Sequence, residues 1–167
     1  MAPIVLMKVA HFSILVGIVL LGCYYYPGES NFDDIERLPQ SNRLARFSSF
    51  PVDEQINIFL FAQISPRGKR DTYLRYLADE GSSKIEAIVR RVSKEERPSS
   101  KADLISVLDL IDLNCNCVGS PEVVAELTSA ANPVDANDPN DVRASKQRFE
   151  SILSKIRDRH KLPHSQD

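Results

Sequence analysis

Apolar residues recur at helical spacing from Pro51 onward, and clear alternation of apolar and polar residues is absent from this part of the chain. Such spacing is typical of amphipathic helices, and it predicts six of them. Prolines, glycines and short polar runs separate the six segments, as helix ends require. Short connections favour antiparallel neighbours, so the predicted fold is all-α, with about six short-to-medium helices in antiparallel pairs.

Two segments carry the strongest apolar patterns. Between residues 103 and 113 most of a helix surface is apolar, so this helix is expected to be the most buried, with Leu104, Leu108 and Ile111 at its centre. Its polar residues are Asp103, Ser106, Asp109 and Asp112. The last segment carries the clearest single stripe, which consists of Phe149, Ile152, Leu153 and Ile156.

The beginning of the chain follows a different pattern. Lys8 is the only charged residue before Glu29, and residues 9–21 are apolar except for His11 and Ser13. This length is typical of the hydrophobic region of a signal peptide, whereas a membrane-spanning helix needs about 20 apolar residues. The pattern alone allows a cleaved signal or an uncleaved anchor helix. In both cases Lys8 marks the cytoplasmic side, and everything after residue 26 is expected to lie outside the cytoplasm.

A cysteine ends this apolar run. Leu20-Leu21-Gly22-Cys23 resembles the lipobox of bacterial lipoproteins, although Leu21 stands where Ala or Ser is more typical. The resemblance covers only the first 23 residues. It implies a diacylglyceryl thioether on Cys23, cleavage before that residue and acylation of the new amine. The protein would then be lipid-anchored in the bacterial cell envelope, and the alternatives are an uncleaved membrane anchor or an ordinary cleaved signal.

These patterns divide the chain into four parts. Residues 1–22 are the predicted signal peptide (or membrane anchor), 23–49 a tether, 50–160 a helical domain and 161–167 a disordered tail. Turn-forming residues dominate the start of the tether, and only residues 33–38 are expected to form a short helix there. Within the domain, residues 82–113 are similar in rhythm to a HEAT-type helical hairpin. This likeness implies a stack of hairpins, and an irregular helical bundle is the alternative.

Charge and composition narrow the classes of function. Hydrophobic residues make up 43% of the chain, which allows a packed core, and the net charge of −2 argues against a general nucleic-acid binder. The charges are unevenly placed: residues 101–141 carry eight acids and one Lys, whereas residues 142–167 carry seven Lys or Arg and three acids. Either the last helix pairs internally with these acids, or Asp103, Asp109 and Asp112 face a basic partner.

The residue types that usually carry catalysis are poorly placed. His11 lies in the predicted signal, and His160 and His164 lie at or beyond the end of the last helix. A positive charge there interacts favourably with the helix dipole, so these two residues need no catalytic role to explain them. Cys115 and Cys117 could form a structural disulfide or remain free buried thiols, act as a redox dithiol or bind a soft metal. The metal signal is weak, because metal sites normally show several well-spaced ligands.

The sequence therefore predicts a non-enzymatic helical module for protein–protein interaction, tethered to the envelope and without a cofactor or metal. It would bind the membrane through lipid on Cys23 (or through the N-terminal helix), and its partner would be another envelope protein rather than nucleic acid. The alternative is a redox or metal-handling protein that uses Cys115 and Cys117.

Overall fold

The structure is a computed structural model that describes residues 26–79 and 81–161. The predicted signal, Cys23 and most of the predicted tail lie outside the described residues. Those residues form eight α-helices and one short 3₁₀ turn, with no β-strand among them. The helices are α1 (Glu29–Glu36), α2 (Gln40–Ser48), α3 (Val52–Ile64), α4 (Arg70–Ala78), α5 (Ile85–Lys94), α6 (Pro98–Cys115), α7 (Pro121–Ala130) and α8 (Asn140–His160), and the 3₁₀ turn is Gly81–Lys84.

The helices pack in two layers. Consecutive helices form pairs, α1 with α2, α3 with α4, α5 with α6, and α7 with α8. Each pair also packs on the next: α1, α3, α5 and α7 contact one another in order along one layer, and α2, α4, α6 and α8 do so along the other. Helix α6 therefore contacts α4, α5 and α8, which explains why it is apolar around most of its surface.

One hydrophobic core runs through the stack. Leu104 and Leu108 are fully buried, and Ile111 is 1% exposed, so the predicted centre of the core is confirmed. The predicted stripe of the last helix is also confirmed, since all four of its residues are buried: Phe149, Ile152, Leu153 and Ile156.

Residues 26–49 differ from the sequence expectation, which made them part of a tether. Helices α1 and α2 occupy most of this stretch, and Phe32, Ile35 and Phe47 are fully buried in the common core. The helix count is therefore eight in the described residues instead of six. The short helix expected at residues 33–38 overlaps α1, whereas α2 was not expected. Both helices are shorter than ten residues and carry few apolar side chains, so periodicity does not define them. Packing against α3 and α4 stabilises them instead.

The described chain enters this stack through a tightly packed turn. The Tyr26 ring lies 5.6 Å from the Phe61 ring, and the Arg97 guanidinium lies 5.1 Å from the Tyr26 ring centroid. Gly28 has a φ of 89°, in the region that favours glycine, and a Cβ there would meet the Asn57 backbone at 2.5 Å. The start of α1 is thus fixed directly against α3.

Candidate functional site

The three aspartates that were expected either to pair with the last helix or to face a partner lie against α8. Asp103 accepts a hydrogen bond from Arg148 at 2.9 Å, and Asp109 accepts one from Arg159 at 2.7 Å. Asp112, which is 1% exposed, also accepts from Arg159, at 2.7 Å. The partner-facing interpretation is therefore corrected, because the neighbouring basic helix pairs with these carboxylates internally.

Asp112 joins three separate parts of the chain. One carboxylate oxygen accepts the Val118 backbone N–H at 2.9 Å and lies 2.9 Å from His160 Nε2, while the other accepts from Arg159 Nε. Burial alone would raise the pKa of Asp112, but the hydrogen bonds from His160, Val118 and Arg159 outweigh it and hold this pKa below its ordinary value. The carboxylate is thus kept charged and fully engaged, which suits a structural role better than proton transfer.

His160 is enclosed and does not belong to a solvated tail. Its side chain is 14% exposed, and the imidazole packs so closely on Gly119 that a Cβ at that position would overlap the ring. Only glycine leaves room for the ring beside Asp112. The end of α8 is consequently tied both to α6 and to the connection between α6 and α7.

The pKa of Asp103 is shifted in the opposite direction to that of Asp112. Burial raises the pKa of Asp103, and the pairing with Arg148 lowers it only in part, so this pKa stays above its ordinary value. Arg148 also donates to the Ser106 hydroxyl at 2.7 Å. The contacts of Asp103 near the start of α6 and Asp112 near its end show that α6 and α8 run in the same direction.

The cysteine pair lies at the C-terminal end of α6. Cys115 is the last residue of the helix, and its sulfur is joined in a disulfide to that of Cys117. Asn116 between them has a φ of 53° and ends the helix. Cys115 is an exposed residue and Cys117 is half-buried. Because the bridge spans a single residue, it fixes a turn and does not link two helices.

A groove of about 630 Å³ lies beside this disulfide, between the end of α4, the 3₁₀ turn and the end of α6. Gly81 approaches Ile111 so closely that a Cβ there would lie 2.8 Å from its side chain, which brings the turn down onto the helix. Leu113 projects from the same end of α6 and is 62% exposed. The lining residues are Arg75, Ala78, Asp79, Gly81, Ser82, Leu110, Ile111, Asn114 and Cys115.

This groove, called the α4–α6 groove below, was missed by the sequence analysis except for Cys115. Its residues come from two distant segments, 75–82 and 110–115, and nothing in their local pattern distinguishes them from ordinary surface residues. Among the residues that the structure describes, no three His, Cys, Asp or Glu side chains come together as a metal site would require. Every helix within residues 26–79 and 81–161 is too short or too polar to cross a bilayer.

Comparisons with protein-family models, with curated proteins and with solved structures found no match for this chain. Its function must therefore be inferred from its own residues.

Proposed function

We propose that this protein is a non-enzymatic binding module, built as a stack of HEAT-like helical hairpins and anchored to the bacterial envelope by lipid on Cys23. Its partner would be another envelope protein, held in the α4–α6 groove. The observation that carries the proposal is the stacking itself: each helix pair packs on the next and leaves a groove between neighbouring pairs. Stacked helical pairs characteristically present such extended surfaces to partners.

The carboxylates on the α8 side of α6 and the side chains of the groove support binding more than catalysis. Asp109 and Asp112 are held by Arg159, and Asp112 is also held by His160, so none of these groups is left to act on a substrate. The groove itself combines apolar Leu110 and Ala78 with Arg75 and Asp79. A mixed apolar and charged surface of this kind is typical of protein–protein contacts.

A site-specific crosslink tests the groove. A photoactivatable residue at Asn114, which is exposed in the groove, should give one discrete crosslinked species in envelope membranes. The matched control is the same residue at Ser151, which is exposed on α8. Leu110→Glu should abolish the Asn114 crosslink. Identical products from both positions, or a crosslink unaffected by Leu110→Glu, would show that the groove is not the binding surface.

The lipid anchor is supported by the position of Leu20-Leu21-Gly22-Cys23 at the end of the apolar run. One acyl chain holds a protein only marginally, at about 0.8 kcal/mol per buried methylene, so two or more are needed for stable anchoring. Cys23→Ala should leave uncleaved precursor and abolish incorporation of labelled palmitate. Cys117→Ala, the matched control, should be processed normally. Unchanged processing of Cys23→Ala would exclude the lipoprotein assignment.

The second candidate function is thiol–disulfide exchange by Cys115 and Cys117. It is favoured by one observation, the position of the disulfide at the groove, where Cys115 is an exposed residue. A partner thiolate could attack the Cys115 sulfur, which would form a mixed disulfide with Cys115 and release the Cys117 thiolate. The partner's second thiolate would then attack the partner's sulfur in that mixed disulfide, so that the partner is oxidised to a disulfide and Cys115 and Cys117 are left as a dithiol. Equilibration in glutathione buffers of graded potential tests this: a redox protein titrates within the envelope range, whereas a structural bridge stays oxidised throughout.

A further inference from the structure

We propose that the helical body lies directly on the lipid headgroups of the membrane that anchors it. The contact is made through what we call the entry edge: Tyr26, the connection 65–69 between α3 and α4, and the connection 95–97 between α5 and α6. This inference rests on the proposed lipid anchor at Cys23. It adds the orientation of the body and the face that it turns to the membrane.

The length of chain between anchor and body is the first reason. Only Tyr24 and Tyr25 separate Cys23 from Tyr26. Three residue steps span at most about 11 Å in a fully extended chain. That reach is no more than the diameter of one helix with its side chains, about 10–12 Å. The body therefore cannot move away from the membrane by more than one helix diameter at this point.

The second reason is that Tyr26 belongs to the folded body. Its ring packs on Phe61 and is covered by Arg97, and two residues later Gly28 is fixed against α3. With α1 beginning at Glu29, the expected tether of residues 23–49 is replaced by helices over most of its length. Because Tyr26 is only three residues from Cys23 and is fixed in the body, it holds the adjoining helix ends close to the anchored surface.

The side chains of the entry edge suit a phospholipid surface. The connection 65–69 carries Arg67 and Lys69, and the Arg67 side chain is 61% exposed although it pairs with Asp33 at 2.8 Å. Ile64 is 56% exposed immediately before this connection. Across the edge, Arg97 is 47% exposed although it pairs with Glu95 at 3.2 Å, and the same connection carries the exposed acid Glu96. Basic side chains can reach headgroup phosphates while an apolar tip enters the interface.

This orientation directs the α4–α6 groove away from the membrane. Helices α3 and α5 end at the entry edge, and α4 and α6 begin there. Helix α6 has 18 residues, so its far end lies about 27 Å from its start. The groove and the disulfide are at that far end, where a partner could reach them without displacing lipid.

A pair of fluorescent labels on the full-length, acylated protein tests the orientation. One label is placed at Ile64→Cys and the other at Leu113→Cys, each in a Cys115→Ser, Cys117→Ser background. Both sites are large, exposed apolar residues, but Leu113 is near the far end of α6. The protein is bound to vesicles of phosphatidylethanolamine and phosphatidylglycerol that carry an energy-transfer acceptor on the headgroup. Transfer should be severalfold more efficient from position 64 than from position 113.

The outcomes separate the anchor from the orientation. If the acylated protein fails to cosediment with the vesicles, the proposed lipid anchor is wrong, and so is the orientation that depends on it. Cosedimentation with equal transfer from both positions, or with greater transfer from position 113, would leave the anchor intact and overturn the entry edge. Charge reversal by Arg67→Glu and Lys69→Glu should reduce the difference in transfer efficiency between positions 64 and 113. An unchanged difference would show that these two side chains do not contact the lipid phosphates.

Discussion

At the scale of single residues, two buried charges hold the ends of neighbouring elements. Lys101 Nζ donates to the Ala130 carbonyl at 2.7 Å and so satisfies the last turn of α7, while Asp112 accepts the backbone N–H of Val118. The Lys101 contact could not be predicted from the sequence, because Lys101 lies 29 positions from its acceptor, and neither could the contact of Asp112 with His160, which lies 48 positions away. The sequence did predict that the acids of α6 and the basic residues of the last helix could pair.

The first prediction concerns pH. The pKa of Asp112 is lowered in the folded state, so its contribution to stability is fully present above the ordinary carboxyl pKa of about 3.9 and is lost as the pH falls through the lower folded value. The difference in unfolding free energy between the wild type and Asp112→Asn should therefore shrink as the solution is acidified below about pH 4. Denaturant titrations at a series of pH values measure this difference.

Asp103 is the matched control on the same helix. Its folded pKa is raised, so the folded state binds the proton more tightly than the unfolded state. The wild type should gain stability relative to Asp103→Asn as the pH falls through this raised value, which is the opposite trend. The same trend in both variants would show that general acid unfolding, and not these individual contacts, governs the result.

At the scale of elements, the helices divide into those with a full apolar stripe and those without one. Helices α6 and α8 are long and periodic, and the sequence predicted both of them and their buried faces. Helices α1 and α2 depend on a few contacts between distant residues, such as Phe32 with Tyr73 at 5.3 Å and Tyr73 with Glu36 at 2.8 Å. Short-range periodicity carries no information about such contacts, so the sequence analysis placed these helices in a tether.

The second prediction concerns what holds α8 in place. Leu153 is fully buried in the α8 stripe, so Leu153→Ala should lower the unfolding free energy by about 2–5 kcal/mol. Lys155 is exposed on the same helix, and Lys155→Ala should change it by no more than about 0.5 kcal/mol. Thermal or urea unfolding compares the two variants. Similar losses from both would mean that surface charge, and not the buried stripe, docks the helix.

At the scale of the whole molecule, the four helix pairs share one core, which extends from Phe32 in α1 to Ile156 in α8. The sequence predicted the helical class and the central helix of this arrangement. It could not predict the order of packing, because that order depends on which faces meet in space. The α4–α6 groove is a property of the whole molecule for the same reason.

The third prediction tests whether the first pair belongs to that core. Phe32→Ala should lower the unfolding free energy of the whole body by about 3–5 kcal/mol in a single transition, since Phe32 is fully buried. The control is Asp34→Ala, whose side chain is 54% exposed, and it should have little effect. An unaltered unfolding transition for Phe32→Ala would show that residues 26–49 are a tether and not part of the common core.

The order in which the helix pairs pack also bears on how the chain folds. Each pair contacts mainly the pair before it and the pair after it, so the loops that must close during folding are short and inexpensive in entropy. Domains dominated by such local contacts fold rapidly, in microseconds to milliseconds. The disulfide between Cys115 and Cys117 joins near neighbours, so its formation does not decide which helices meet. The described helices can therefore assemble quickly, before oxidation of Cys115 and Cys117 is complete.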